Sequence, residues 1–300
     1  MKFKCFKSAL SIVLCLTLLL SMAGCGSTKS TVKPLESITA VGDNSYTCEY
    51  DGMSRKYLEY APDGDVSGVI IMLHGYGNDP ETMRMDTKMD DDALERGYVV
   101  IYAEGSANLT DATSAIGWNS GIDDSTNDDI GFIKSLATYM QDKYSVTREN
   151  TFAVGFSNGG FMMYRIAVEA SDIFAAVASV VGMMPESMWE NRSKTTDISV
   201  LQINGTKDDV VPMNLNGSAK YSQAPAIEEV IEYFAAAAGL TQVTSESLSS
   251  NSEITKYSAP SKSTQVWQVI VEGGRHSWPA EELYGFDTND LILDFFDQVG

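Results

Sequence analysis

The chain has 300 residues, 44% of them hydrophobic and 21% charged, which is ample for one domain to bury a sizeable apolar core. A formal charge of −20 repels phosphate backbones and anionic headgroups, so nucleic acid is excluded as a partner. Only Cys48 lies beyond the first 25 residues, which excludes a fold stapled by intrachain disulfides once those residues are set aside.

Lys2, Lys4 and Lys7 precede an uncharged apolar stretch, Ala9 to Met22, the pattern of a secretory signal. It falls short of the roughly 20 apolar residues of a permanent membrane span. Leu20, Ser21, Met22, Ala23, Gly24 and Cys25 resemble the lipobox at which bacterial lipoproteins are cut and acylated. The expected organisation is a signal peptide at 1–24, a lipidated Cys25 with a flexible tether at 25–45, and one α/β domain at 46–300. The protein would then sit outside the cytoplasm at the cell surface, touching the membrane only through lipid, with a charge more negative by the three lost lysines. Cleavage near Ala23 by an ordinary signal peptidase would instead give a secreted protein.

From Tyr46 onward, strand-like and helical runs alternate, without repeats or low-complexity blocks. Tyr46 to Tyr50 and Arg55 to Tyr60 alternate in polarity and predict edge strands. Val69 to Leu73, Val99 to Ala103, Thr151 to Phe156, Ala175 to Val181, Ser199 to Ile203 and Val266 to Val271 are mostly apolar, as strands covered on both faces of a parallel sheet must be. Helical runs fall at about Pro80 to Arg96, Asp128 to Lys143, Asn158 to Ala170, Ile227 to Ala238 and Asn289 to Val299. In the second of these, Ile130, Ile133, Leu136, Ala137 and Met140 form one stripe.

Gly155-Phe156-Ser157-Asn158-Gly159 is a G-x-S-x-G placed between a predicted strand and a predicted helix. The pentapeptide alone is a weak signal; the strand before it and the helix after it give it weight. A serine nucleophile needs a base, and the chain has two histidines. His74 ends the first buried strand, in Leu73-His74-Gly75-Tyr76, where an α/β-hydrolase places an oxyanion-binding N–H. His276 lies on a loop after the last buried strand, and the order serine, acid, histidine selects it as base. Asp208 or Asp209, just past the strand Ser199 to Ile203, would supply the acid that holds the imidazole.

These residues resemble the bacterial esterase family, similar to carbohydrate esterase family 1, that includes polyhydroxybutyrate depolymerases, feruloyl esterases and acetyl xylan esterases. The resemblance runs from about Arg55 to Phe296. It rests on Leu73-His74-Gly75, Gly117-Trp118-Asn119, Asp128-Asp129-Ile130-Gly131-Phe132, Gly155 to Gly160, Phe174 to Ala178, Gly205-Thr206-Lys207-Asp208 with Val211-Pro212, and His276-Ser277-Trp278-Pro279. It implies an α/β-hydrolase fold, a mostly parallel sheet with helices on both faces, and assigns the acid to Asp208. Two departures stand out: Tyr76 where the family often has cysteine, and Arg275 where it often has glycine.

The implied chemistry is acyl transfer through Ser157, His276 and Asp208, with the N–H groups of Tyr76 and Asn158 as the oxyanion hole and with no metal or cofactor. Trp118 and Trp278 are the expected cleft walls, because both loops open at the carboxyl end of the sheet. Asp123, Asp124, Asp128 and Asp129 could suggest calcium, but acids at a helix start complement its dipole, with Asn127 as the cap. Asp90 to Asp92 read as a solvated helix face, and Met162, Met163, Met183, Met184 and Trp189 as either core or an acyl-binding wall. The expected substrate is a feruloyl or acetyl ester on a plant polysaccharide or a smaller ester-bearing molecule. The rivals are a polyhydroxybutyrate depolymerase, a serine peptidase and a non-catalytic solute-binding lipoprotein.

Overall fold

The computed structural model describes residues 32–107, 115–122, 125–194, 197–213 and 224–300. The signal segment, Cys25, Asp123 and Asp124 lie outside the described residues. The chain from Val32 to Gly300 forms one unit. Its first half runs β1 (Glu36–Gly42), β2 (Ser45–Tyr50), β3 (Met53–Tyr60), β4 (Gly68–Leu73), α1 (Pro80–Thr87), α2 (Met89–Glu95), β5 (Tyr98–Ala103), the short ribbon β6 (Ser106–Ala107) and β7 (Ile116–Gly117), and α3 (Asp129–Tyr144). The second half runs β8 (Thr151–Phe156), α4 (Asn158–Glu169), β9 (Ala176–Val180), α5 (Glu186–Glu190), β10 (Ser199–Gly205), α6 (Ile227–Ala237), β11 (Gln242–Ser249), β12 (Ser252–Ser258), β13 (Val266–Val271), α7 (Glu281–Tyr284) and α8 (Thr288–Val299).

Among the described residues the main sheet has eleven strands in the order β1-β2-β3-β5-β4-β8-β9-β10-β13-β12-β11. The six from β5 to β13 are parallel to one another, and the strands flanking them at both edges pair antiparallel. Alternation along the central strands explains the two cores. Val69, Ile71 and Leu73 of β4 face α3, α4 and α6, while Ile70 and Met72 face α1, α2 and α8. On the second face Phe152 and Phe296 stack, with ring centroids 4.4 Å apart and planes 7° from parallel. This is the α/β-hydrolase fold, with the predicted helices on both faces.

Several expectations need correction. The sheet begins at Glu36, inside the stretch expected to be a tether to residue 45, because the turn at Asn44 (φ 59°) folds β1 back onto β2. The predicted helix from Pro80 to Arg96 breaks at Lys88, whose left-handed backbone (φ 50°) ends α1 and starts α2. Asp90 is buried rather than solvated: Tyr102 Oη donates to it at 2.8 Å and Arg84 pairs with it at 2.7 Å. The cap of α3 is Asp128, which accepts the Gly131 N–H at 3.0 Å; Asn127 instead donates to Ser106 Oγ and the Ala107 carbonyl. Met162, Met163, Met183 and Met184 are core, each at most 1% exposed. Replacing Phe296 with alanine removes the stacked ring and leaves a cavity, which should cost about 3–5 kcal/mol in urea unfolding.

Candidate active site

The turn between β8 and α4 is where the chain is most constrained. Ser157 has φ 53° and ψ −114°, a strained backbone for a residue with a side chain. Its N–H is held by the Val180 carbonyl of β9 at 3.0 Å, and its carbonyl accepts from Phe161 at 2.9 Å. A Cβ on Gly155 would collide with the Gly159 carbonyl, and one on Gly159 with the Leu73 carbonyl, so both glycines are steric necessities. The strain lifts Ser157 clear of the sheet at the start of a helix, where first-turn N–H groups have no intrahelical acceptor.

His276 Nε2 lies 2.8 Å from Ser157 Oγ, and His276 Nδ1 lies 2.7 Å from Asp208 Oδ2. The other carboxylate oxygen, Oδ1, accepts the N–H groups of Val210 and Val211 at 2.9 and 2.8 Å. Asp208 is therefore fixed on both oxygens and its side chain is fully buried, while Asp209 is exposed. The loops carrying acid and histidine are stitched together: Lys207 N–H donates to the Gly274 carbonyl, Thr206 N–H to the Val271 carbonyl, and Gly273 N–H to Thr206 Oγ1. Because Nδ1–H points at a carboxylate, the Nε2 lone pair faces the serine hydroxyl.

The other histidine has a different setting. His74 is buried, and burial, the largest influence on it, pushes its pKa below the usual imidazole range. Nε2 accepts the Gly105 N–H at 3.0 Å, so the proton of the neutral ring sits on Nδ1, which donates to the Gly75 carbonyl at 2.7 Å. The turn it supports closes through Asn78 N–H to the Gly75 carbonyl and Gly77 N–H to the Ile116 carbonyl. Gly75 packs against the serine turn: a Cβ there would lie 3.0 Å from Phe156 Cδ1 and in ordinary contact, 3.5 Å, with the Ser157 Cβ. Tyr76 follows directly, exposed beside the site.

Trp118 does not line the cleft. It is 2% exposed, its ring packs on His74, and its Nε1–H donates to the His74 carbonyl at 2.9 Å. Its N–H and carbonyl both engage the side-chain amide of Asn158, which reaches on to Ser120 Oγ. The buried clamp of His74, Trp118 and Asn158 thus ties the turn after β4 to the first residue of α4. Only the Gly117-Trp118-Asn119 tripeptide hinted at it in the sequence, and tripeptides do not reveal which way an indole turns. Trp278, in contrast, does border the cleft: with Phe156, Met83 and His276 it lines a cavity of about 380 Å³. Nothing in the sequence marked Met83 or Phe156 for that place. Trp189 lies against Tyr233 and Arg192, and Arg275 is exposed.

A strained serine at a strand-to-helix turn, beside a histidine held by a carboxylate, on a parallel sheet of this order defines an α/β-hydrolase. Residues 60–233, more than half of the chain, match the phospholipase/carboxylesterase family, and the chain belongs to it. It is a carboxylic ester hydrolase. It is 28% identical to NocK of Nocardia uniformis subsp. tsuyamanensis, named as a proposed esterase, over 76% of this chain and 72% of that protein. Feruloyl esterase C of Emericella nidulans is 28% identical over 53% of this chain, and the bifunctional acetylxylan esterase/xylanase XynS20E of Neocallimastix patriciarum 25% identical over 56%. The chain spans 57% of the first and 23% of the second. Among solved structures, the acetyl xylan esterase of Aspergillus awamori superposes with a TM-score of 0.58 at 17% identity, covering 89% of this chain and all of that one. The Bacillus cereus carboxylesterase gives 0.53 at 14% identity, covering 82% and 95%. At these identities the likeness concerns the fold.

The two neighbouring aspartates should separate cleanly in steady-state kinetics. Asp208→Asn is expected to lower kcat on p-nitrophenyl acetate by about 10⁴-fold, as loss of the orienting carboxylate does in serine hydrolases, and Asp209→Asn by less than about twofold.

Proposed function

We propose that the chain is an extracytoplasmic esterase that removes feruloyl or acetyl groups from plant polysaccharide, or from fragments of it, through an acyl-enzyme on Ser157. The observation that carries this is the continuous hydrogen-bonded chain Ser157 Oγ, His276 Nε2, His276 Nδ1, Asp208 Oδ2. Ser157 attacks the ester carbonyl as His276 takes its proton, and Asp208 stays ionised to stabilise the imidazolium. The N–H groups of Tyr76 and Asn158 receive the developing oxyanion, each worth about 3–4 kcal/mol of barrier. His276 returns its proton to the leaving alcohol, and water then releases the acid by the same steps in reverse.

The substrate class is supported by the feruloyl and acetylxylan esterases among the relatives, and by a cleft with Trp278 and Phe156 beside His276. The location is supported by the signal-like residues 1–24 and the lipobox-like approach to Cys25, which would anchor the enzyme by lipid. Rates on methyl ferulate, acetylated xylan and a 3-hydroxybutyrate oligomer, with Ser157→Ala as control, test the reading. The expected result is turnover of a ferulate or acetate ester, lowered by roughly 10⁶-fold in Ser157→Ala. Turnover of the hydroxybutyrate oligomer alone would move the substrate to a polyester, and activity surviving in Ser157→Ala would remove Ser157 from the mechanism.

A further inference from the structure

Helix α1 turns its two flanks to different neighbours. On one, Arg84 lies over the Tyr60 ring of β3, with Cζ 4.4 Å from its centroid. Asp86, two residues on and about 200° around the helix, occupies the other, in line with Met83 three residues before it. That flank borders the cavity of about 380 Å³ beside His276, whose lining includes Met83, Asp86, Thr87, Phe156 and Trp278. Thr87 Oγ1 turns back to donate to the Met83 carbonyl at 2.9 Å, and His276 is held between Asp208 and Ser157. Asp86 is exposed, and among the described residues its carboxylate has neither a hydrogen bond nor an ion pair.

Position relates this cavity to one half of an ester. In acyl transfer the histidine passes its proton to the leaving oxygen, which must therefore come to rest beside the imidazole. The cavity starts at that imidazole, and its lining includes neither Tyr76 nor Asn158, the residues proposed above to take the other oxygen. Chemistry then narrows the alcohol. An ionised carboxylate only accepts, so the group that meets Asp86 must donate, as sugar hydroxyls do. The partly exposed rings of Trp278 and Phe156 offer apolar surface for the C–H side of a sugar ring. A uronate suits the cavity poorly: its carboxylate would meet that of Asp86, the lining has no lysine or arginine, and the whole chain carries −20.

We propose that this cavity receives the alcohol half of the ester, and that Asp86 selects a neutral sugar there over a uronate by accepting from its hydroxyls while the ring lies against Trp278. This rests on the esterase reading of Ser157 above and separates neutral from acidic polysaccharide as the substrate.

The test compares kcat/KM of the full chain on acetylated xylo-oligosaccharide, acetylated oligogalacturonide and p-nitrophenyl acetate. All three deliver the same acetyl-enzyme, so their ratios read the alcohol half alone. The xylo-oligosaccharide is expected to exceed the oligogalacturonide by about tenfold, an order that Asp86→Lys should reverse. Its ratio to p-nitrophenyl acetate should fall about tenfold in Asp86→Ala, and by less in Asp86→Asn, which keeps an acceptor oxygen. Its KM should rise severalfold in Trp278→Ala. A ratio unchanged in Asp86→Ala, equal or better turnover of the oligogalacturonide by the wild type, or an unmoved KM in Trp278→Ala would overturn the subsite and leave the esterase reading standing. Failure of the folded wild type to hydrolyse any of the three, p-nitrophenyl acetate included, would overturn the esterase reading of Ser157 and the subsite with it.

Discussion

Everything in the site depends on the crowding between β8 and α4. The helix can begin immediately after the strand only because Gly155 and Gly159 allow their backbones to touch, and the cost falls on Ser157, held at φ 53°. Such strain amounts to about 1–3 kcal/mol and persists only where the surroundings enforce it. Here the enforcement comes from the Val180 carbonyl on the neighbouring strand, which holds the Ser157 N–H, and from the Phe161 N–H, which holds its carbonyl. The parallel centre of the sheet matters for the same reason: it brings the ends of β4, β8, β10 and β13 to one edge, so residues at 74, 157, 208 and 276 meet despite their separation along the chain.

Two layers of hydrogen bonds then hold the loops above that edge. One joins the acid and histidine loops through residues 205–207 and 271–274, which leaves Asp208 with two backbone donors on one oxygen and the imidazole on the other. The second links His74, Gly105, Trp118 and Asn158 behind the turn that follows β4. Asp129 extends this second layer outward, accepting from the Asn119 N–H and Ser106 Oγ while facing Arg55. Buried polar groups of this kind offset their desolvation cost only when they are satisfied. Arg55 is the cation of this layer, buried with Nη2 2.7 Å from Asp129 Oδ1.

The parts of this arrangement that were legible in the sequence are those that chemistry writes locally. Apolar runs such as Val69 to Leu73 declare strands covered on both faces, and G-x-S-x-G declares a tight turn. Strands β11 and β12 were not legible: Gln242 to Ser249 is almost wholly exposed, so no burial pattern distinguishes it from a polar loop. Asp90 looked solvated beside Asp91 and Asp92 because its partners, Arg84 and Tyr102, come from another helix and a strand. Trp118 looked like a cleft residue because its loop does open at the carboxyl end of the sheet. That its indole turns inward to the His74 carbonyl is a tertiary fact with no local signature. Between Asp208 and Asp209 spacing alone left a choice, and the geometry places Asp208 against His276.

The central claim is that Ser157 carries the acyl group. Rapid quenching of the enzyme during turnover of p-nitrophenyl acetate, followed by proteolysis and peptide mass spectrometry, reads this directly. The account predicts a transient acetyl adduct confined to the peptide containing Ser157, appearing with the burst of p-nitrophenol and prolonged when Asp208 is replaced by asparagine. Turnover without any adduct, or an adduct on a different residue, would contradict it.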